Sequence, residues 1–428
     1  MKEYIDLGYK PSDKEIICEY RVEPSGRKTL KDVASHIAGE SSIDTWSEIV
    51  TLNEKIARRL RPRVFSIDKK RKEVKIAYSP ELFETESISQ ILSSIAGNIF
   101  SMKIVKNLRL QDVSFPKEVV KKFKGPKFGI KGVRRILKIK DRPLIGTIVK
   151  PKVGLTSKEH AKVAYESWIG GCDLVKDDEN LTNQKFNPFE RRVKETLKLR
   201  DKAEKETGER KMYLPNITAP NCKEMIKRAR FVKEAGGEYI MIDIIPTGFT
   251  ALQTLREENE NLNLIIHAHR CMHSAFTKNP KHGISMLVVA KIIRLIGLDQ
   301  LHIGTVVGKM YGGKREVLSV RNECIEKEIK ENKKEFILKQ NWYNLKEVFP
   351  VSSGGLQPLM IPKLLEIFGS NDIILQFGGG IHAHPLGSKA GAMAVRQALY
   401  AAMNKIPLEK YAKEEKKREL EIAMKKWK

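Results

Sequence analysis

The chain has 428 residues and a formal net charge of +26, and 41% of its residues are hydrophobic and 31% charged. This length can bury a substantial core and can hold two domains, and the composition excludes a disordered or fibrous protein. No apolar run is long enough to span a membrane, the start lacks a signal-peptide core, and the five cysteines are scattered without a CxxC pair. We therefore expect a cytoplasmic protein without a disulfide framework or structural zinc site.

The first part of the chain, residues 1–125, is predicted to form an α+β domain. In chain order the pattern predicts a strand at 15–24, a helix at 29–40, a hairpin at 63–79, a helix at 88–101 and a strand at 103–116. Strand, helix, two strands, helix and strand is the order of a ferredoxin-like unit.

Residues 126–428 show a different rhythm. Eight short apolar runs recur, each followed by a segment with helical periodicity: LIGTIV, CDLV, MYLPNI, YIMIDII, LIIHAH, QLHIGTVV, VFPVSS and IILQFGG. The runs are continuous rather than alternating, as strands buried on both faces require. A capping box joins Thr156 and Glu159 at the start of the first such helix. The pattern predicts a (β/α)₈ TIM barrel, followed after about Asn404 by a charged C-terminal helix that caps or leaves the barrel.

Polar or glycine-rich groups stand at the end of every predicted barrel strand, where barrel enzymes place their chemistry. In strand order they are Lys150-Pro151-Lys152, Lys176-Asp177-Asp178-Glu179, Asn216, Asp243, His267 to Arg270, His302 running on to Lys309, Ser352 to Gly355, and Gln376 to Gly380. Random surface positions would rarely coincide with every strand end, so the set as a whole predicts a site on one face of the barrel.

Taken singly, these motifs also have plainer interpretations. Asp178 and Glu179 offer hard oxygen ligands suited to Mg²⁺, yet two acids are often a solvated turn. His269 alone can be a buried structural histidine, although Arg270 beside it favours a functional role. The SSGG and FGGG segments can be turns, but the loops after strands 7 and 8 are the usual phosphate pocket of this fold. With Arg270 and His302 available as well, the pattern is compatible with a bisphosphorylated substrate.

The same segments resemble the large subunit of ribulose-1,5-bisphosphate carboxylase/oxygenase (RuBisCO). They are GTIVKPKVGL, GGCDLVKDDEN, HAHRCMH, HIGTVVGKM, SSGG and LQFGGG, joined by GESSIDTW and IAGNIF in the first 125 residues. The similarity follows the chain in order over nearly its whole length, and it is greatest to the archaeal form (form III), which works without small subunits. It implies Mg²⁺-dependent carboxylation of ribulose 1,5-bisphosphate by CO₂ and water to two molecules of 3-phosphoglycerate. An oxygenase side reaction with O₂ and a setting in AMP ribose salvage are implied as well.

The resemblance also explains why a lysine stands beside three acids. It implies that an activating CO₂ converts Lys176 to a carbamate, which holds Mg²⁺ together with Asp178 and Glu179. A free ammonium would repel the metal, whereas a carbamate supplies an anionic oxygen ligand. Lys150 and His269 are implied as proton-transfer residues.

Further roles follow from the resemblance alone. Lys309 would stabilise the carboxylated transition state from a loop that can close over the substrate. The implied substrate-binding residues in the barrel are Lys152, Arg270, His302, Ser353, Gly354, Gly355, Gln376, Phe377, Gly378 and Gly379. Those in the first domain are Glu40, Thr45, Trp46 and Asn98. These four would complete the site of a neighbouring subunit, so that the active unit is a homodimer or a higher homo-oligomer.

Four positions depart from the family pattern. Asp44 stands where a glycine usually precedes the threonine–tryptophan pair, and its charge could weaken phosphate binding by Thr45. Tyr311 replaces a common acid after the loop lysine, Gln357 replaces a frequent histidine, and Ile148 replaces a threonine of the plant enzymes. None of these departures removes an implied metal ligand or catalytic lysine.

Two other functions compete with carboxylation. One is a RuBisCO-like enolase or isomerase of a related sugar phosphate, although such relatives usually lack several of the residues retained here. The other is a non-catalytic basic binding protein, which the net charge of +26 suggests. However, the lysines are spread along the whole chain without an arginine-rich arm, and an anionic substrate explains the charge at least as well. We therefore expect no nucleic-acid partner and no membrane partner.

Overall fold

The computed structural model describes residues 4–45, 49–308 and 313–427. Its strands are β1 (Ile16–Pro24), β2 (Arg63–Asp68), β3 (Glu73–Tyr78), β4 (Val105–Ser114), β5 (Leu144–Ile148), β6 (Leu174–Lys176), β7 (Met212–Leu214), β8 (Tyr239–Asp243), β9 (Ile265–His269), β10 (Gly283–Ile284), β11 (Gln300–His302), β12 (Glu328–Ile329), β13 (Gln340–Asn341), β14 (Phe349–Ser353) and β15 (Ile374–Phe377).

The α-helices are α1 (Leu30–Glu40), α2 (Glu54–Leu60), α3 (Ile88–Ile95), α4 (Lys117–Val120), α5 (Gly129–Leu137), α6 (Ser157–Ile169), α7 (Phe189–Thr207), α8 (Cys222–Glu234), α9 (Ile244–Thr247), α10 (Phe249–Leu262), α11 (Ser274–Thr277), α12 (Met286–Ile296), α13 (Lys314–Ile325), α14 (Ile361–Phe368), α15 (Gly379–His382), α16 (Gly387–Met403), α17 (Leu408–Glu414) and α18 (Arg418–Trp427). Short 3₁₀ turns lie at Pro80–Leu82, Asn98–Phe100, Lys333–Glu335 and Pro358–Met360. Among these helices, none is long and apolar enough to cross a membrane.

The chain divides into two compact units. The first comprises Met1–Gly125 together with Met272–Ile296 and Glu326–Leu345, and the second comprises the remaining residues. The sequence places the boundary at residue 125 and does not predict that two later segments belong to the first unit. That division, 1–125 and 126–428, stays a prediction.

The first unit contains a five-stranded sheet in the order β10-β4-β1-β3-β2. β1 pairs antiparallel with both β3 and β4, and β2 forms a hairpin with β3. This is the ferredoxin-like arrangement that the sequence predicts, with α2 and the edge strand β10 as additions. The predicted helix at 88–101 is shorter in the structure, because α3 ends at Ile95 and a 3₁₀ turn follows.

The second unit is the predicted parallel barrel. Its eight strands are hydrogen-bonded in the order β7-β6-β5-β15-β14-β11-β9-β8. The two ends of this order meet at a parallel bridge between Asn216 and Met241, which brings the sheet close to full closure. The strands are short and fully buried, as shown by β5, β6 and β8. Burial on both faces explains why their sequences are continuously apolar rather than alternating.

The core at the amino ends of the barrel strands is apolar and packs against α5. Strand residues such as Leu144, Leu174 and Ile265 pack there with Val133 and Leu137 of that helix. This packing occupies the amino ends of the strands, so the polar side chains are concentrated at the carboxyl ends.

The predicted capping box and C-terminal tail are both present. The Thr156 hydroxyl accepts from the backbone N–H of Glu159, and the Glu159 carboxylate accepts from the backbone N–H of Thr156. The tail forms two helices, α17 and α18, rather than one. The Gln397 side chain of α16 hydrogen-bonds to Glu419 and to the backbone N–H of Leu420, so α18 packs on the barrel.

Candidate active site

The predicted site residues meet at the carboxyl ends of the barrel strands. In the register of the sheet, Ile148 at the end of β5 lies beside Lys176 at the end of β6. Likewise, Asp243 lies beside His269. Strand pairing alone therefore places a lysine, an acid and a histidine on one face.

Lys176 is fully buried at the end of β6. Its Nζ donates to the backbone oxygen of Asp177 at 2.7 Å and to Met241 Sδ at 3.1 Å. Within the part of the chain that the structure describes, no carboxylate forms an ion pair with this nitrogen. Burial lowers the pKa of Lys176, although the charges of Glu179 and Asp178 oppose the shift. The side chain is thus biased towards the neutral amine.

Two other fully buried lysines show how unusual this setting is. Lys211 Nζ lies 2.8 Å from a Glu209 carboxylate oxygen and 3.0 Å from the carbonyl oxygen of Cys172. In the first unit, Lys291 Nζ lies 2.7 Å from an Asp112 carboxylate oxygen. A buried ammonium ordinarily has such a partner, because an unpaired buried charge is costly.

Two of the three acids that follow Lys176, Asp178 and Glu179, contact lysines of the loop after β5. Asp178 Oδ2 accepts from Lys150 Nζ at 2.6 Å, and Glu179 Oε1 accepts from Lys152 Nζ at 3.1 Å. Burial acts to raise the pKa of Asp178, but the hydrogen bond and charge of Lys150 outweigh it, so the pKa lies below its usual range. Asp178 is therefore ionised and supplies negatively charged oxygen at neutral pH.

Asp177, whose role the sequence left open, is held by contacts with residues of the barrel scaffold. Its carboxylate lies 3.0 Å from Arg192 Nε and accepts from the Tyr213 hydroxyl at 2.6 Å and the backbone N–H of Asn216 at 3.0 Å. His160 Nε2 lies 3.1 Å away. Burial acts against ionisation, yet Arg192 and His160 keep the pKa of Asp177 well below normal. The residue anchors the loop and turns away from the lysine–carboxylate cluster.

His269 forms a dyad with Asp243. Its Nδ1 lies 3.0 Å from Asp243 Oδ1, and its Nε2 lies 3.9 Å from Glu179 Oε2. An ionised carboxylate only accepts hydrogen bonds, so Nδ1 carries the proton and the Nε2 lone pair stays available. Burial and then the charge of Lys176 lower the pKa of His269, which keeps the ring neutral.

A second chain of contacts fixes His302. His267 Nδ1 lies 2.7 Å from Gln300 Oε1, and the Gln300 amide nitrogen donates to the Tyr239 hydroxyl at 2.7 Å. His267 Nε2 is therefore the acceptor for His302 Nε2, at 2.8 Å. Burial lowers the pKa of both histidines well below normal. The His302 ring packs edge-on against the His269 ring, with centroids 4.7 Å apart.

Arg270 is a largely buried cation. Among the residues that the structure describes, its guanidinium has neither a hydrogen bond nor an ion-pair partner, and burial lowers its pKa to about 10. Gly304 has φ of +105°, and a Cβ there would lie 3.1 Å from Arg270 Nη2. Glycine thus allows the backbone to approach the guanidinium closely.

The glycine-rich strand ends occupy the rest of this face. Gly354 and Gly355 have φ of +130° and +81°, which favours glycine after Ser353. Ser353 pairs with Gln376 across β14 and β15, and both side-chain polar atoms of Gln376 are buried without a partner in the described chain. A Cβ on Gly378 would lie 3.4 Å from Lys150 Cε. Gly379 begins the short helix α15.

Phe377 differs from the other predicted substrate-binding residues. Its side chain is fully buried, and its carbonyl oxygen accepts from Thr147 Oγ1 at 2.6 Å. The side chain therefore belongs to the barrel core. A role in substrate binding stays a prediction for its backbone alone.

The predicted residues of the first unit lie at surface positions. Glu40 ends α1, Thr45 is exposed beside Asp44, and Asn98 is exposed at the start of a 3₁₀ turn. Trp46 and Lys309 lie outside the described residues, as does Tyr311. The roles of these residues remain predictions.

Two of the departures have local structural explanations. Asp44 accepts from the Tyr4 hydroxyl at 3.3 Å and from the backbone N–H of Thr45 at 2.9 Å. Gln357 caps the 3₁₀ turn at Pro358–Met360 through the backbone N–H of Leu359 at 2.7 Å. Ile148 is buried in the barrel wall.

Sequence reasoning did not assign roles to several residues of this face. Asp243 and Asn216 were noted only as strand ends, and His267 and Cys271 only as parts of HAHRCMH. Position at a strand end was the available signal for the first two. His382 gave no such signal, yet its Nε2 lies 2.9 Å from Thr147 Oγ1, and burial followed by the charge of Lys150 lowers its pKa to about 4.

The fold and the site together define a parallel α/β barrel whose lysines, acids and histidines converge on the carboxyl face. Two sequence families match this chain. The family described as "Ribulose bisphosphate carboxylase large chain, catalytic domain" matches residues 129–427, and "Ribulose bisphosphate carboxylase large chain, N-terminal domain" matches residues 3–119.

Relatives match over the full length. A ribulose bisphosphate carboxylase from Methanosarcina barkeri is 62% identical and covers 100% of this chain and 99% of its own length. One from Methanocaldococcus jannaschii is 52% identical, with 100% of both chains covered. The solved structure of a dimeric archaeal Rubisco from Hyperthermus butylicus superposes with a TM-score of 0.93 at 47% identity, covering 100% and 99% of the two chains. The chain belongs to the RuBisCO large-chain family.

Proposed function

We propose that the chain is a Mg²⁺-dependent ribulose-1,5-bisphosphate carboxylase that makes two molecules of 3-phosphoglycerate and also accepts O₂. The observation that carries this proposal is the buried Lys176 amine, which has no ion-pair partner in the described chain and lies next to the ionised Asp178. Family membership and relatives named ribulose bisphosphate carboxylase support it.

The residues present fit a magnesium site. Asp178 and Glu179 offer hard carboxylate oxygens of the kind that Mg²⁺ selects. Here Lys150 donates to Asp178, Lys152 donates to Glu179, and Asn180 also donates to Asp178. A carbamate on Lys176 would add a third oxygen donor. When bound, Mg²⁺ would polarise the substrate carbonyl and stabilise the enediolate.

The chemistry of the carbamate suits the environment of Lys176. Only a neutral amine attacks CO₂, and burial lowers the pKa of this lysine in that direction. The nitrogen's present contacts, a carbonyl oxygen and a thioether sulfur, leave an ammonium poorly stabilised. Conversion to a carbamate would relieve this mismatch, because it replaces an amine that is poorly placed to carry a proton by an anionic metal ligand.

Proton transfer would fall to Lys150 and His269. The His269 Nε2 lone pair is available because Asp243 holds Nδ1–H, so this nitrogen can accept a proton from the hydration step. Lys150, ion-paired with Asp178 and half-buried, can deliver or accept a proton at the same face. Lys152, whose Nζ lies 3.1 Å from Glu179 Oε1, would help to position the substrate beside this acid.

Substrate binding would depend on anion recognition. Arg270 is a partly buried cation that forms no ion pair in the described chain, although the charge of Glu316 acts on it, and such a cation suits a phosphate group. His302 is held through its Nε2, leaving Nδ1 for the substrate. Backbone N–H groups of Gly354, Gly355 and the Gly378–Gly379 segment would receive phosphate at the strand 7 and 8 positions. Lys309 would stabilise the carboxylated transition state.

The assembly and cellular setting are part of the same proposal. The solved relatives are described as dimeric in Hyperthermus butylicus and octameric in Pyrococcus horikoshii. We infer a homodimer or higher homo-oligomer without a small subunit, in which Glu40, Thr45, Trp46 and Asn98 complete a neighbour's site. A cytoplasmic location and a role in AMP ribose salvage stay predictions from the resemblance.

The test is fixation of labelled carbon. The purified chain, activated with bicarbonate and Mg²⁺, should incorporate ¹⁴CO₂ into acid-stable product in the presence of ribulose 1,5-bisphosphate. Lys176→Met keeps an apolar stem of similar volume but removes the amine, and it should lose this activity. Lys158→Met, at an exposed lysine of α6, is the matched control and should retain it.

A readout independent of turnover separates the carbamate from the overall reaction. After treatment with ¹³CO₂, the wild type and Lys158→Met should show a carbamate carbon signal by NMR, and Lys176→Met should lack it. A folded wild-type protein that fixes no label contradicts the proposed carboxylase. Isomerisation or enolisation of a sugar phosphate by such a protein would favour the RuBisCO-like alternative instead.

A further inference from the structure

A second group of ligand-type atoms lies on the carboxyl face, beside the predicted magnesium residues. Asp243, His269 and Cys271 each offer one oxygen, nitrogen or sulfur atom, and these three atoms lie within 4.8 Å of one another. We propose that Asp243, His269 and Cys271 form a binding site for a thiophilic divalent cation such as Zn²⁺, distinct from the Lys176–Asp178–Glu179 site.

The ligand set matches zinc and not magnesium. Zinc prefers tetrahedral sites made of imidazole nitrogen, thiolate sulfur and carboxylate oxygen, with bonds of about 2.0–2.3 Å. Such bonds place neighbouring ligand atoms roughly 3.3–3.8 Å apart, so the three side chains need move only about 1 Å. Mg²⁺ requires hard oxygen ligands in octahedral geometry and is disfavoured by a thiol and an imidazole.

The surroundings hold the acid in position. Asp243 Oδ2 accepts from Asn216 Nδ2 at 3.1 Å and from Thr218 Oγ1 at 3.2 Å, while Oδ1 faces His269 Nδ1. Outer contacts of this kind orient metal-binding carboxylates. One oxygen is therefore already fixed by protein donors, and the other faces His269.

The Cys271 thiol can supply the sulfur ligand of this site. Zinc binds cysteine as the thiolate, so binding would release the thiol proton to solvent. The side chain is only partly buried, which leaves a route for an ion to enter.

Occupation of this site would inhibit the proposed reaction. His269 is the proposed proton-transfer residue. Zinc on either ring nitrogen would remove the Nε2 lone pair from the reaction, because zinc on Nδ1 would leave the ring proton on Nε2. This inhibitory consequence rests on the proposed function, whereas the binding of zinc does not. The two can therefore fail separately.

The experiment titrates Zn²⁺ by calorimetry into the full chain, which has first been stripped of bound metals and then saturated with Mg²⁺. We expect one zinc ion per chain, and at least about tenfold weaker binding for Cys271→Ala, because a ligand is lost. Cys222→Ala, at the exposed cysteine of α8, and Lys176→Ala should bind as the wild type does. With Co²⁺ as a second probe, the wild type should show a thiolate-to-metal charge-transfer absorption that Cys271→Ala lacks.

Activity supplies a separate measurement. Cys271→Ala should retain basal carboxylation and lose sensitivity to micromolar Zn²⁺, with circular dichroism confirming an unchanged fold. Zinc binding by Cys271→Ala at wild-type affinity would overturn the proposal. Loss of binding in Lys176→Ala would also overturn it, because the ion would then occupy the magnesium site. Zinc binding as expected in a protein without carboxylase activity would contradict only the proposed function.

Discussion

The two ends of the barrel treat charged side chains in opposite ways. At the amino ends of the strands, Asp173 is fully buried and binds the Arg142 guanidinium through both oxygens, each at 2.7 Å. Asp299 accepts backbone N–H bonds from Phe128 at 2.7 Å, Gly129 at 3.1 Å and Ile266 at 3.0 Å. The acids at this end have hydrogen-bond or ion-pair partners that belong to the scaffold.

At the carboxyl ends, two basic side chains lack such matched partners. Lys176 has a carbonyl oxygen and a sulfur as its contacts, and Arg270 has no ion-pair partner in the described chain. The acids at this end do have partners: Lys150 and Lys152 contact Asp178 and Glu179, and Arg192, Tyr213 and His160 surround Asp177. This difference indicates that basic side chains without an ion-pair partner, rather than charged side chains as such, distinguish the functional face from the scaffold of the described chain.

The largest effect is expected at the amino end. Asp173→Ala should lower the free energy of unfolding by about 3–5 kcal/mol, because it leaves Arg142 partly buried without its carboxylate. Burial opposes ionisation of Asp173, but Arg142 lowers its pKa, so this contribution is present at neutral pH and is lost as the pH falls through the lowered value. Urea unfolding at two pH values measures both.

The matched control is Asp201→Ala. Asp201 also pairs with an arginine, Arg200, at 2.7 Å, but its side chain is 60% exposed. An exposed pair contributes roughly 0–1 kcal/mol, so little change is expected. Equal losses in the two variants would show that burial does not set the value of these pairs.

The next effect concerns the carboxyl end. Asp178→Asn keeps the size of the side chain but removes the charge of the proposed metal ligand. Carboxylation should fall by more than about 100-fold, because loss of a contact that only supports a metal ligand already costs up to about 100-fold. The free energy of unfolding should fall less than in Asp173→Ala, because the Lys150 side chain that loses its partner is 27% exposed. Steady-state rates at increasing Mg²⁺ concentrations, together with thermal unfolding, check this. If Asp178→Asn unfolds as readily as Asp173→Ala, the contrast between the two ends is wrong.

The sequence predicts the difference between the amino and carboxyl ends of the barrel only in part. Eight continuous apolar runs, each followed by a helical segment, predicted the barrel. The positions of Lys176 and His269 at strand ends predicted that they would share a face. Sequence position could not show that Asp177 turns into the scaffold while Asp178 remains at the site, because that depends on Arg192 and Tyr213 from other elements. Neither could it show that Cys271 would lie near Asp243, since Asp243 ends β8 and Cys271 lies in the segment after β9.

The first unit shows another limit of sequence patterns. Its sheet order follows from alternating strands and helices, but the inclusion of Met272–Ile296 and Glu326–Leu345 does not. Lys291 of α12 pairs with Asp112 of β4, and β10 adds to the edge of β4 in parallel. These contacts join residues far apart in the chain, and no local periodicity records them.

A smaller effect is expected in the pH dependence of catalysis. Burial lowers the pKa of His269, so the ring should stay neutral below the ordinary histidine range, and kcat/KM should fall only as the pH drops through the lowered value. Asp243 opposes this shift, so Asp243→Asn should move the acid limb to still lower pH. It should also reduce kcat, because Nδ1–H loses its anionic acceptor and the amide can present either its oxygen or its NH₂ group to the ring. Measured pH–rate profiles for both proteins check the direction. A limb that moves upwards in Asp243→Asn would exclude His269 as the titrating group.

The smallest effect sharpens the comparison from within the carboxyl face. Thr156 lies in the loop after β5, yet its hydroxyl serves only the capping box of α6 in the described contacts, with Glu159 as the reciprocal partner. Thr156→Ala should cost about 1 kcal/mol of stability through the lost cap and leave kcat/KM unchanged. Thr156→Ser, which keeps the hydroxyl, should restore most of the loss. Because Thr156 has its hydrogen bonds satisfied by its own helix, a change in kcat/KM without a change in stability would mean that satisfied groups on this face also act in catalysis.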